Sequence, residues 1–270
     1  MAKRTTQANR YGRWVILRKV VQGLSLAVIC GLFLFTRTDG ISGNLSNVIM
    51  RLDPLAVLAH LLASRTFLAG SSLALLVLLL TLVAGRAWCG WLCPLGTILD
   101  IFSLKKWRKN RQELNKSWHR VKYALLAAIL VAALLGNLTL LILDPLTLLY
   151  RTLTASLYPG LDRAVLAIEE ALYPVPIFSN MVARFDLWAR PALLPAQPAN
   201  FRDPILFALV FATVLGLNLV APRFWCRVLC PLGALLGLIS KVSFFRRKVI
   251  PGCIECNRCA RTCPTGAVDA

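Results

Sequence analysis

The chain has 270 residues, 57% of them hydrophobic, with a mean hydropathy of +0.66 and a formal net charge of +19. That is too apolar for a soluble domain and points to a polytopic membrane protein. The charge has the size of a nucleic-acid signal, but its distribution excludes one. Segments 1–19, 86–122 and 223–270 carry 23 Lys and Arg against 4 Asp and Glu, while everything else carries 8 Arg against 8 acidic residues.

Four apolar runs approach the ~20 residues that cross a bilayer core: Val20–Phe35, Phe67–Ala84, Tyr123–Leu143 and Ile205–Val220. With four crossings, every basic segment falls on one side. The positive-inside bias then predicts both termini in the cytoplasm. Residues 1–19 read as a basic arm leading into the first run, which is longer than a signal-peptide core and has no small-residue cleavage site after it. Cys30, alone in that run, reads as a small core hydrophobe.

The first outer loop contains Leu52-Asp53-Pro54-Leu55 and then His60. Asp before Pro predicts an N-capped helix with Pro at its first position. The second run ends in Arg86-Ala87-Trp88-Cys89-Gly90-Trp91-Leu92-Cys93-Pro94-Leu95-Gly96, followed by a short amphipathic segment to residue 104 and the basic loop 105–122. The third run ends in Leu143-Asp144-Pro145-Leu146, with Arg151 beyond it. The loop 151–203 is rich in proline, and Leu157–Tyr173 reads as a surface helix. After the fourth run comes Arg223-Phe224-Trp225-Cys226-Arg227-Val228-Leu229-Cys230-Pro231-Leu232-Gly233, a second copy of the cysteine stretch.

The chain therefore reads as a repeat. The expected fold is an all-α membrane protein with four transmembrane helices, arranged as two parallel two-helix repeats with a small C-terminal iron–sulfur segment. The divisions are the arm 1–19, repeat 1 over 20–104, the loop 105–122, repeat 2 over 123–245 and the tail 246–270. Each repeat makes an even number of crossings, so both run in the same sense, related by an axis along the membrane normal. Both cysteine stretches should share the cytoplasmic face, and both Asp-Pro stretches the outer face.

The tail reads Cys253-x2-Cys256-x2-Cys259-x3-Cys263-Pro264, the bacterial ferredoxin run for a [4Fe-4S] cluster. In two-cluster ferredoxins the last cysteine of such a run serves the other cluster, and no second run follows in this sequence. Cys89, Cys93, Cys226 and Cys230 are a possible second metal site. Cysteines at i and i+4 share a helix face, and a helix N-terminus with nearby Arg86, Arg223 and Arg227 should favour thiolate. The alternative is that these cysteines are packed or reversibly oxidised at a turn. Trp88, Trp91 and Trp225 read as an interface belt. The histidines, His60 and His119, lie outside the four runs, so no haem is expected.

Two W-C-x-x-L-C-P-L-G stretches, four apolar runs and a C-terminal ferredoxin run resemble the NapH-type membrane ferredoxins, with the MauN-like and NosR-type proteins similar. The resemblance covers nearly the whole chain. It implies a multi-pass protein of the bacterial inner membrane, the quinol dehydrogenase component of a periplasmic nitrate reductase type of system, with cluster ligands Cys253, Cys256, Cys259 and Cys263. The implied function is electron transfer between the quinone pool and a partner iron–sulfur or other redox subunit, on the cytoplasmic or periplasmic side. Other partners would be quinone and membrane lipid, not nucleic acid. A redox-sensing or metalloenzyme-assembly protein and a structural anchor are the alternatives. For the proton chemistry of quinol, Asp53, Asp144, His60 and Arg151 are candidates, as is a slot beside the paired cysteines. Asp53 and Asp144 also read as plain helix caps.

Overall fold

The computed structural model describes residues 2–35, 46–66, 70–102, 118–174, 176–188 and 203–245. The described residues form helices joined by turns and contain no strand. In order they form α1 (Ala2–Phe35), α2 (Ser46–Arg51), α3 (Pro54–Ser64), α4 (Ser72–Ala84), α5 (Pro94–Ile101), α6 (Trp118–Leu134), α7 (Pro145–Thr152), α8 (Tyr158–Leu172), α9 (Pro176–Trp188), α10 (Pro204–Val220) and α11 (Pro231–Ile239). The tail with Cys253, Cys256, Cys259 and Cys263, and residues 105–117 of the basic loop 105–122, lie outside the described residues.

The arm is not separate from the first run: both belong to α1, a helix of 34 residues. Within it Arg13–Leu34 is long and apolar enough to cross a membrane, and it alone among the described residues. The third run is broken short of its expected end. Gly136 takes a left-handed φ of 77°, its N–H donates to Ala133 O, and Asn137 N–H donates to Ala132 O. These two bonds satisfy the last carbonyls of α6 in a Schellman cap. A 3₁₀ turn, Thr139–Leu143, then carries the chain into Asp144. The loop helix expected at Leu157–Tyr173 forms as α8.

Four short helices fill the interior, and all start at proline. Pro54 and Pro145 open α3 and α7 behind aspartate caps; Pro94 and Pro231 open α5 and α11 behind cysteines. A helix of 11 residues such as α3 is about 16 Å long, half of a hydrocarbon core of about 30 Å. The short helices pack across the repeats: α3 against α11, and α5 against α7. α6 runs beside both α3 and α11. The Asp-Pro and Cys-Pro helices thus share one core.

Around a buried apolar core, large apolar side chains also face outward, and a few polar groups lie inside. Leu24 on α1, Leu76 and Leu79 on α4, and Leu206 and Leu209 on α10 face outward. Gln22, Asp53, Asp144, Asn218 and Arg223 are buried. Beyond α11 the chain returns to α4, where Phe244 and Phe245 donate their backbone N–H groups to Leu82 O and Val83 O. These are end carbonyls that α4 would otherwise leave without partners.

Candidate functional site

The two cysteine stretches fold alike. Trp88–Leu92 and Trp225–Leu229 are single π-helical turns, closed by Cys93 N–H to Trp88 O at 3.0 Å and Cys230 N–H to Trp225 O at 2.9 Å. The turn is π rather than the α-turn expected from the i, i+4 spacing. Pro94 and Pro231 have no N–H and disfavour a helical residue before them. Cys93 and Cys230 are accordingly extended, with ψ of 116° and 112°. New helices start at the prolines, as expected. Cys230 Sγ accepts from Gly233 N–H at 3.2 Å, so this sulfur caps its helix.

All four cysteines join one core cluster, into which Trp225 is buried and against which Trp88 packs. The indoles are therefore not an outward belt; Trp91, by contrast, meets Trp14 edge to face. Cys89, Cys93, Cys226 and Cys230 form no disulfide. The expectation of thiolates is reversed at Cys89: burial pushes its thiol up to about 12, Cys93 adds to the rise, and Arg86 and Arg223 oppose it without winning. Burial likewise raises Cys226. Desolvating an anion costs more here than the arginines return.

Arg223 is occupied elsewhere. Its backbone is left-handed at φ 55° and its side chain is 2% exposed. Across the repeat boundary it grips Asp100 with two bonds, Nε to Oδ1 at 2.8 Å and Nη2 to Oδ2 at 2.6 Å. Arg18 reaches the same carboxylate at 3.2 Å. Asn218 supports the bend: its Oδ1 accepts from Arg223 N–H at 2.7 Å, and its Nδ2 donates to Leu99 O at 2.7 Å. The equivalent contact in the other direction sets Arg86 over Gly237, where a Cβ would come within 2.8 Å of its Nη2. Repeat 2 has Gly237 where repeat 1 has Asp100, so one arginine crosses to a carboxylate and its counterpart to a glycine. α1 clamps the first stretch: Arg18 Nε and Gln22 Nε2 donate to Gly90 O, and Ser25 Oγ to Leu92 O.

Asp53 and Asp144 are both 0% exposed. Asp53 Oδ1 accepts from Leu55 and Ala56 N–H at 2.9 and 3.3 Å. Asp144 Oδ2 accepts from Leu146 and Thr147 N–H at 3.0 and 3.3 Å. Both are the caps the sequence predicts. The sequence did not show that the two carboxyls also lie against one another, in side-chain hydrogen-bond contact. They are electrostatic neighbours of the cysteine caps as well, Asp53 of Cys93 and Asp144 of Cys230. His60 and Arg151 do not join them. His60 lies seven residues along α3, roughly 10 Å from its start, and its Nδ1 pairs with Ser64 Oγ at 3.1 Å. Arg151 is exposed in the last turn of α7.

Four thiols are a suitable donor set for iron or another soft metal. Among the described residues, no group of three or more His, Cys, Asp or Glu side chains is arranged to hold a metal ion. A different ligand chemistry is visible beside them. Trp88 Nε1 and Trp225 Nε1, at equivalent places in the two repeats, are buried N–H donors with no acceptor.

The family described as a 4Fe-4S binding domain matches residues 66–114 and 204–251. Each match takes in one cysteine stretch, and the second ends before Cys253. The ferredoxin-type protein MauN of Methylorubrum extorquens is 27% identical over 94% of this chain and 76% of its own length. The chain resembles the NapH- and MauN-type ferredoxin-like proteins along most of its length. The ferredoxin-type protein NapH of Escherichia coli matches equally, at 27% over 94% of this chain and 76% of its own. The putative electron transport protein YccM of Escherichia coli is 27% identical over 70% of this chain and 44% of its own length. No solved structure matches. The resemblance read from the sequence therefore holds, and a 4Fe-4S binding domain is present.

Proposed function

We propose that this protein is an electron-transfer subunit of the bacterial inner membrane that takes electrons from quinol and passes them, through an iron–sulfur cluster, to a partner redox subunit. The observation that carries the reading is the match to ferredoxin-type relatives over 94% of the chain. In this reading the chain crosses the membrane four times with both termini in the cytoplasm. Support for the bilayer setting comes from the outward leucines of α1, α4 and α10, since soluble proteins rarely expose large apolar faces.

Cys253, Cys256, Cys259 and Cys263 would hold the [4Fe-4S] cluster, which supplies one-electron transfer when bound. The described residues would serve the quinol end. A quinone presents two oxygen acceptors, and the buried N–H groups of Trp88 and Trp225 are two donors without acceptors. An unmet buried donor costs about 1–3 kcal/mol, so a ligand with two oxygens gains what these indoles lack. This reading favours a quinol slot beside the paired cysteines over one at His60 or Arg151, and the unmet indole N–H groups support it.

Trp88→Phe and Trp225→Phe test the assignment by keeping the ring and deleting the N–H. Each should slow menaquinol-driven cluster reduction about tenfold, the kinetic equivalent of one lost hydrogen bond. The extent of reduction by dithionite should not change. Wild-type rates in both variants would remove the indoles from the site.

A further inference from the structure

The Asp53–Asp144 contact raises a question of proton count. Each carboxyl spends one oxygen on the N-terminus of its own helix. The other oxygens, Asp53 Oδ2 and Asp144 Oδ1, are buried and receive no N–H or O–H from any other residue. They belong to side chains that face each other across the repeat boundary, each 0% exposed. Two carboxylates in contact, out of water, repel strongly and do not both stay ionised. An acid facing a carboxylate instead makes a short, charge-assisted O–H···O bond, which satisfies both orphaned oxygens at once. The remaining single negative charge sits at two helix N-termini, where the backbone dipoles favour it.

We propose that Asp53 and Asp144 hold one proton between them, an acid–carboxylate dyad that forms an internal proton site where the two repeats meet. The orphaned oxygens, Asp53 Oδ2 and Asp144 Oδ1, are the pair left over to share it, and either residue is its donor. Plain helix capping leaves this proton out of account, since each cap needs only one oxygen. The dyad does not depend on the quinol reading: its proton is present whichever molecule supplies the electrons.

The test is infrared spectroscopy of the full-length protein, purified with its cofactors, as wild type minus variant. Asn keeps both roles at either position, since its oxygen can accept from the helix N-terminus while its amide N–H donates to the facing side chain. The wild type should show a carboxylic acid C=O band. That band should shift or vanish in Asp53→Asn and in Asp144→Asn, and be absent from the double variant. A second arm uses Ala in a thermal unfolding cycle. Asp53→Ala and Asp144→Ala should each lower the Tm, and the double variant should fall by clearly less than the sum. An acid band that is missing from the wild type, or unchanged in the double Asn variant, overturns the proposal. So do additive Ala effects, which are what two independent caps would give.

Discussion

Asp100→Ala should cost the fold about 2–3 kcal/mol, and clearly more than Arg223→Met. The order runs against the usual expectation that the better-buried residue matters more. Arg223 is 2% exposed and Asp100 38%. Removing Asp100 strands a guanidinium in the core, with the carbonyl of Cys89 at 3.4 Å as a poor substitute. A buried charge left alone bears its whole desolvation cost. Removing Arg223 leaves a half-exposed carboxylate that Arg18 still pairs at 3.2 Å, and Met fills most of the vacated space. Denaturant unfolding in detergent measures both. An Arg223→Met variant as unstable as Asp100→Ala, or more so, would mean that the pair is not what joins the repeats here.

The second large effect separates the two sets of cysteines. Cys256→Ser with Cys259→Ser should abolish the cluster and its EPR signal, because Ser is a poor iron ligand and two ligands are lost together. Cys89→Ser with Cys226→Ser should leave iron and sulfide per chain unchanged. The basis is the arrangement of the side chains: among the described residues no three His, Cys, Asp or Glu come together to hold a metal. The same double variant should slow menaquinol-driven reduction, since both sulfurs lie in the core that holds the two indoles. Iron and sulfide assays with single-turnover kinetics check both halves. A fall of about four irons in the Cys89/Cys226 variant would put a second cluster on the paired stretches.

What the sequence revealed was local, and what it concealed was tertiary. Asp53-Pro54 and Asp144-Pro145 announce their helices because cap and first position are adjacent residues. Cys93-Pro94 and Cys230-Pro231 do the same, and α10 falls within one residue of its apolar run. The end of α6 was harder to see. Gly136 lies inside an apolar run interrupted by Asn137 and Thr139, and hydropathy does not register a left-handed glycine. The thiolate expectation counted charges along the chain and missed burial, which decides the outcome at Cys89. The bond from Arg223 to Asp100 links residues 123 apart. A repeat alignment would have paired Asp100 with Gly237, and an arginine conserved in both copies with a carboxylate in only one was the available clue. The carboxyl dyad was half visible: a parallel repeat predicts that like meets like, but only the fold shows two carboxyls with oxygens left over.

The most direct measurement is anaerobic addition of menaquinol to the purified, oxidised protein, with freeze-quenched EPR. A quinol-linked electron-transfer subunit should develop the reduced-cluster signal within a physiological turnover time, to an extent approaching that given by dithionite. A signal that appears with dithionite and not with menaquinol would contradict the quinol assignment, whatever the cluster count proves to be.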